Sequence, residues 1–312
     1  MTSSPIFPRR LPVRRFDRPE AGPGLPRWAE LAAPIRHDVW LDSSPAQVGS
    51  DLAGTSAPAL PAWQPFDFPN RLIDNRAAVR ATYLSILNEA RNKGALTPAA
   101  EWLLDNHHVV DETFRHLRRD LQPKLYRSLP SLKLAGGETV PRVLALAWTH
   151  VALTNSAVTL EGLSQMVGGM QRHLDLTIGE IWAIPSLLRL VLLENLRRLA
   201  DRIEDGRRKR AAANALADRL MGGTAPEAAA ALAPEAAAAR DATFAAQMLY
   251  RLRDGSGAAA TALDWLEARL AEAGQTPDSV LAAEHARQSS GNVTVGNIIR
   301  SLRLIDEIDW LK

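Results

Sequence analysis

The sequence predicts an all-α fold, with antiparallel helices in a bundle or irregular array behind a disordered, proline-rich N-terminal arm. Three observations carry this. From about Asp74 onward, apolar residues recur at three- and four-residue spacing in one segment after another, the pattern of helices that bury one face. No stretch alternates apolar and polar residues strictly enough to read as a strand. The segment Thr177 to Arg198, TIGEIWAIPSLLRLVLLENLRR, is so densely apolar that other helices must enclose it.

In chain order, the first seventy residues hold twelve of the twenty prolines, interspersed with Trp28, Trp40 and Trp63. That composition does not build a packed core, so residues 1–73 read as a disordered arm. Arg9, Arg10, Arg14, Arg15 and Arg18 against Asp17 make its start basic, either a solvated tail or a contact for anionic lipid headgroups. The tryptophans imply that parts of the arm lie in grooves of a partner or of the chain's own body, because exposed indole leaves much apolar area in water.

A main helical domain is expected over 74–206. Val79, Tyr83, Ile86, Leu87 and Ala90 mark its first helix, which Gly94 stops. Thr97 as N-cap and Pro98 at the first helical position open a long second helix through Trp102, Val109, Phe114 and Leu121 to Pro123. Residues 122–139 read as a loop with Pro130 and Gly136-Gly137. Pro141 opens a third helix, and a fourth runs from about Thr159 to Met170. Thr177 and Glu180 have the spacing of a capping box at the start of the central helix, which Pro185 is expected to break or restart. The apolar run is too short for a membrane span of about 20 residues, and Arg189 and Glu194 interrupt it.

Residues 207–240, with the basic quartet Arg207-Arg208-Lys209-Arg210 and an alanine-rich stretch, read as a mobile helical connector whose cations are solvated. A second helical subdomain, packing on the first, is expected over 241–312. Its helices are marked by Phe244, Met248 and Leu252, by Leu263, Leu266 and Leu270, by the cap Thr276-Pro277, and by Val295 to Ile308.

Composition narrows the function classes. With 46% hydrophobic and 23% charged residues the chain is an ordinary soluble type, and its formal charge of +2 gives no reason to expect nucleic acid. No cysteine is present, which removes disulfides and thiolate chemistry. No apolar h-region follows the N-terminus, so a cleaved signal peptide is not expected and the cytoplasm is the expected location. His107 and His108 stand four residues before Asp111 and Glu112, but a metal-binding bundle needs a second such pair on another helix, so no metal is expected. Asp105, His108 and Glu112 read instead as surface polar groups of the second helix, and Thr177 as a cap. No nucleophile motif, phosphate-cradling loop or dinucleotide fingerprint occurs, and no catalytic residue or cofactor is expected.

Two features of the central helix ask for partners. Glu194 and Arg198 are four apart in the orientation favoured for a helical ion pair, worth about 0.3–0.5 kcal/mol on a helix surface. Arg189, set among leucines, needs a carboxylate, for which Asp105, Asp111 and Glu112 are the candidates.

Several segments resemble a known family. LLDNHHVVDETFRHLRRDL (103–121), LYRSLP (125–130), PRVLALAW (141–148), LTIGEIWAIPSLLRLVLLENLRRLADRI (176–203) and VTVGNIIRSLRLIDEIDW (293–310) are similar to the N-terminal region of bacterial cyclic β-1,2-glucan synthetases. The resemblance covers most of residues 75–312 and implies a helical region that precedes membrane helices and a glycosyltransferase domain using UDP-glucose. The family sequence continues past Asp309 and Trp310, so the chain is expected to be a detached or truncated N-terminal portion. The transferase's Asp-x-Asp and Gln-x-x-Arg-Trp motifs are absent, and no transferase activity is expected from the chain alone.

The resemblance then implies a platform on the inner face of the inner membrane. Its partner would be the transferase domain, with a glucan chain as a further candidate. Tyr126, Arg142, Glu180, Trp182, Arg189, Glu194, Arg198, Asp309 and Trp310 are the candidate contacts. Because such synthetases build glucan on the protein itself, Tyr126, in the expected loop between Lys124 and Arg127, is either a primer or a loop anchor. A free-standing helical adaptor without catalytic role is the alternative function.

Overall fold

A computed structural model describes residues 32–36, 44–54, 60–63, 68, 70–135, 137–221, 230–253 and 255–308 of the 312-residue chain. The fold is all-α, with one two-stranded hairpin among the described residues. Helices α1 (Pro45–Leu52), α2 (Asn70–Arg91), α3 (Pro98–Asp105), α4 (His107–Asp120), α5 (Pro123–Ser128), α6 (Arg142–Leu153) and α7 (Leu160–Gln171) precede α8 (Ile178–Met221). Helices α9 (Ala242–Leu252), α10 (Ala258–Glu272) and α11 (Pro277–Glu307) follow it.

The 44-residue α8 is the element the others pack on, about 66 Å long at the α-helical rise. Its capping box forms as the spacing predicts. The Thr177 backbone N–H donates to Glu180 Oε2 (2.9 Å) and the Glu180 N–H to Thr177 Oγ1 (3.3 Å). Pro185 does not break the helix. It stands in the third turn, where only the carbonyl of Ile181 loses its donor, and Ile181 is on a solvent-facing side. Around residues 187–200 α8 is enclosed by α2, α4, α6 and the second half of α11, which gives one hydrophobic cluster. Helix α6 is buried along nearly its whole length, with Trp148 fully enclosed.

Beyond Arg198 the helix continues without interruption. Ala213, Leu216, Ala217 and Leu220, inside the stretch expected as a mobile connector, form a second cluster with Phe244, Met248 and Leu252 of α9 and Leu266 and Leu270 of α10. Small alanines allow close helix approach, and what they bury singly is little but adds up along the contact. Three of the basic quartet are also engaged: Arg207 and Arg208 pair with Glu204, and Lys209 with Asp205 and Asp241. Residues 222–229 lie outside the described residues.

The long second helix of the sequence reading is two. Asn106 separates α3 from α4, its amide donating to Trp102 O (2.9 Å) and its Oδ1 accepting from Arg303 Nη2 (2.6 Å). Asparagine competes with the helix for backbone partners, which makes it an apt break. The expected loop 122–139 contains α5 and part of an antiparallel hairpin in which Ser131, Leu132 and Lys133 oppose Pro141, Val140 and Thr139. Gly137 takes φ +90 in its turn, where a side chain would be strained. In the C-terminal part, the two helices read from residues 277 and 295 are one, opened by a Thr276–Ser279 capping box.

Parts of the stretch expected as a disordered arm are ordered. Pro45 opens α1 behind the Ser44 cap, and Ile35, Leu52, Leu60 and Phe68 are core residues. Helix α1 lies directly on α7: a Cβ on Gly49 would stand 1.9 Å from Met166 O, and one on Gly169 2.0 Å from Ala46 O. Trp63 packs edge-on against Trp148 at 4.8 Å between centroids, a groove on the chain's own body. Prolines exclude a long helix here but not short pieces whose apolar side chains fill such grooves. Trp28 and Trp40 lie outside the described residues. Among the described residues no helix is long and apolar enough to cross a membrane.

Candidate functional site

The candidate residues fall along α8. At its start, Glu180 is fully buried and accepts from Arg142 Nε and from Nη2 (2.7 Å), while Arg142 Nη2 also donates to the Asp175 carbonyl (2.7 Å). Pro141 places Arg142 at the first position of α6, so one ion pair fastens the N-termini of α6 and α8 together. Burial raises the Glu180 pKa, but the hydrogen bonds from Arg142 and Thr177 outweigh it and hold the carboxyl below its ordinary value. On the opposite side of the same turns, Ile178, Ile181 and Trp182 are turned outward, with Trp182 66% exposed. Their spacing puts all three on one face.

About four turns further along α8, in the core, lies a charged network. Glu194, 1% exposed, accepts from Arg71 Nε (2.8 Å) and Nη2 (2.6 Å), from Asn75 Nδ2 (2.8 Å) and from Arg198 Nε (2.9 Å). Arg198 Nη1 donates to the carbonyls of Ala33 (2.9 Å) and Ala62 (2.8 Å), and its guanidinium stands 5.3 Å from the Trp148 ring centroid. Beside it, Asn195 Oδ1 accepts from the Ile35 N–H (2.8 Å) and its amide donates to Ser156 Oγ (2.9 Å). The expected surface pair Glu194–Arg198 is therefore a buried hub that ties α2, α8 and the segments around residues 33 and 62 together. Burial pushes the Glu194 pKa up, but Arg71 and Arg198 outweigh it and bring it down to about 2. A carboxylate so firmly ionised cannot take up a proton near neutral pH.

Arg189 finds its carboxylate on α11, with Nη2 2.7 Å from Asp306 Oδ1. The candidates Asp105, Asp111 and Glu112 do not reach it: Asp105 and Glu112 are exposed, and Asp111 pairs with Arg76 (2.8 Å). His108 is exposed, and the His107 ring stacks on Tyr83 at 3.8 Å between centroids. Among the described residues no three His, Asp or Glu side chains are grouped to hold a metal ion. Tyr126 is not in a loop but in α5, half-buried, its ring stacked on Phe68 with centroids 4.9 Å apart. Asp309 and Trp310 lie outside the described residues.

The structure thus joins Arg142, Glu180 and Thr177 in one cluster and Glu194 with Arg198 in another, and leaves Trp182 exposed. Arg71, Asn75, Asn195 and Trp148 escape the sequence reading. The only signal for the first two is their i, i+4 spacing, which shows one polar face on an otherwise unremarked helix start. In both clusters the carboxylate is committed to arginine, so neither offers a free general base.

No protein-family model matches the chain. Over 263 residues, 84% of its length, it is 47% identical to the cyclic beta-(1,2)-glucan synthase NdvB of Rhizobium meliloti (strain 1021). The chain is related to a cyclic β-(1,2)-glucan synthase. It spans 9% of that synthase's length, so the relationship concerns one segment of a much larger protein.

Proposed function

We propose that this chain is the helical platform of a cyclic β-1,2-glucan synthase-like protein. In this reading it carries no transferase chemistry and packs against the portion that uses UDP-glucose, at the inner face of the inner membrane. The observation that supports it most is the outward face of Ile178, Ile181 and Trp182. The helix start bearing that face is immobilised from behind by Arg142 and Glu180. Contiguous exposed apolar side chains on a rigid support mark a contact surface more often than a solvent face. Covering the exposed part of Trp182, roughly 150 Å², would contribute at most about 4 kcal/mol before the costs of association.

The test is co-expression of this chain with the transferase portion of such a synthase. Wild type should co-purify with it, and the double variant Ile178→Ser, Trp182→Ser should not, while its circular dichroism and melting temperature stay at wild-type values. Co-purification unaffected by the double variant removes this face from the interaction. The chain alone, incubated with UDP-glucose, should make no β-1,2-glucan; any product overturns the platform reading.

A further inference from the structure

A cleft of about 510 Å³ lies between the second half of α8, the middle of α11, the start of α3 and the segment at residues 33–36. Its volume is within the usual range for small-molecule sites. Four arginines line it, Arg36, Arg202, Arg210 and Arg287, and among the described residues no carboxylate does. Leu199, Ile203 and Val295 supply an apolar wall.

The four cations are not equally engaged. Arg287 gives Nε and Nη2 to Glu284 (2.8 and 2.7 Å), and Arg36 Nη1 donates to Ser290 Oγ (3.0 Å). Arg202 is half-buried, and its Nε is enclosed without a hydrogen-bond partner among the described residues. Burial lowers the pKa of both Arg202 and Arg210; Arg287 repels both, while Asp205 attracts Arg202, and Glu284 and Glu89 attract Arg210 more strongly than Arg287 repels it. The nearby carboxylates have other duties: Asp205 holds Lys209 (2.7 Å), and Glu284 also takes Gln288 and Thr243. Gly206 lies between the two arginines on α8. A Cβ there would meet Arg287 Nη2 at 3.2 Å and Arg210 Nη1 at 3.3 Å, so two like-charged guanidinia converge on the one position of this face that has no side chain. Glu284 holds Arg287 at 2.7 Å, so the cation of this pair that no described carboxylate bonds directly is Arg210.

We propose that this cleft binds a small organic phosphate, its oxygens held by Arg202 and Arg210 and its organic part against Leu199, Ile203 and Val295. A phosphate dianion suits two guanidinia that no described carboxylate hydrogen-bonds, where a single carboxylate would leave one over, and the planar fork of arginine suits its oxygens bidentately. The proposal is independent of the platform reading, since it uses a different face of the chain.

The test uses the full chain and phenyl phosphate, which combines the anion with an apolar body, in calorimetric titration at constant ionic strength. Phenyl phosphate should bind and raise the melting temperature. Arg202→Gln and Arg210→Gln should each weaken binding about 10- to 100-fold. In phosphate-free buffer both variants should melt at or above the wild-type temperature, because each removes a partly buried cation that no described residue hydrogen-bonds; arginines with a purely structural role would melt lower. Arg208→Gln, on the exposed side of the same helix, should bind as wild type. Sedimentation with phosphatidylglycerol vesicles then identifies the source of the phosphate. Co-sedimentation that phenyl phosphate reverses means a lipid headgroup, and a chain left in the supernatant means a soluble phosphate ester. Absence of wild-type binding up to roughly 10 mM, or binding by either glutamine variant as tight as wild type, overturns the proposal.

Discussion

Replacing Glu194 by glutamine tests the hub most directly. The substitution keeps size and shape but removes the single negative charge that Arg71 and Arg198 share at 2.6–2.9 Å. Both guanidinia stay buried, Arg71 at 7% exposure and Arg198 at 1%, and the new amide turns a donor toward a ring of donors. Removing one partner of a buried pair typically costs about 3–5 kcal/mol, mostly as the penalty of the charge left behind. Against a usual stability of about 5–15 kcal/mol this is a large fraction.

The pH dependence gives a second, independent reading. Glu194 is depressed in the fold from 4.5 to about 2, so its contribution is fully present above pH 4.5 and is lost as pH falls toward 2. At 1.36 kcal/mol per unit the whole loss is roughly 3 kcal/mol. Urea unfolding followed by tryptophan fluorescence should therefore show Glu194→Gln about 3–5 kcal/mol below wild type at pH 7, with the gap narrowing as pH approaches 2. Adding Arg71→Met to Glu194→Gln should recover part of the loss. A variant within about 1 kcal/mol of wild type at pH 7, or a gap that does not shrink in acid, refutes the hub as a source of stability.

Two further substitutions follow from the packing. His150 is buried in α6 with both ring nitrogens unpartnered, and burial pulls its pKa down to about 4. It is neutral in the fold, so stability is complete above pH 6.5 and falls by roughly 3 kcal/mol as pH drops to 4 and the unfolded chain takes the proton. His150→Leu should be neutral or stabilising at pH 7 and flatten the pH 6.5–4 part of the unfolding profile; an unchanged profile refutes the assignment. Gly49→Ala and Gly169→Ala should each cost about 1–3 kcal/mol or more and make α1 an early site of limited proteolysis, because the added methyl meets backbone that cannot yield cheaply. Gly168→Ala, with nothing within 4 Å, should cost nothing, and a loss equal to that of its neighbour would show that the α1–α7 contact is not the cause.

What the sequence shows in advance depends on whether the signal is local. The Thr177–Glu180 capping box and the burial of residues 187–193 could be read directly, because both rest on spacing within one helix. Asn106 as a helix break was hidden, since its effect depends on Arg303 nearly two hundred residues away. Helix α1 was hidden for a related reason. Its eight residues are too few to declare themselves by periodicity, and glycines at 49 and 169 have meaning only once each is seen against the other helix's carbonyl.

The charged residues show the same limit more sharply. Spacing identified Glu194 and Arg198 as a pair but assigned it the strength of a surface pair, because periodicity does not report how deeply a face is covered. What makes the pair central is Arg71, which arrives from the end of a proline-rich stretch that composition alone would dismiss. The same reasoning applies to Arg202 and Arg210. In the sequence Arg210 belongs to the basic quartet and reads as solvated; only the approach of α11, bringing Arg287 over Gly206, half-buries it together with Arg202. A charge within an amphipathic helix thus gets its role from the element that closes over it. For Glu194 that element brings opposite charge and gives a structural hub, whereas for Arg202 and Arg210 it brings an arginine already held by Glu284, and neither gains a hydrogen-bonded carboxylate among the described residues.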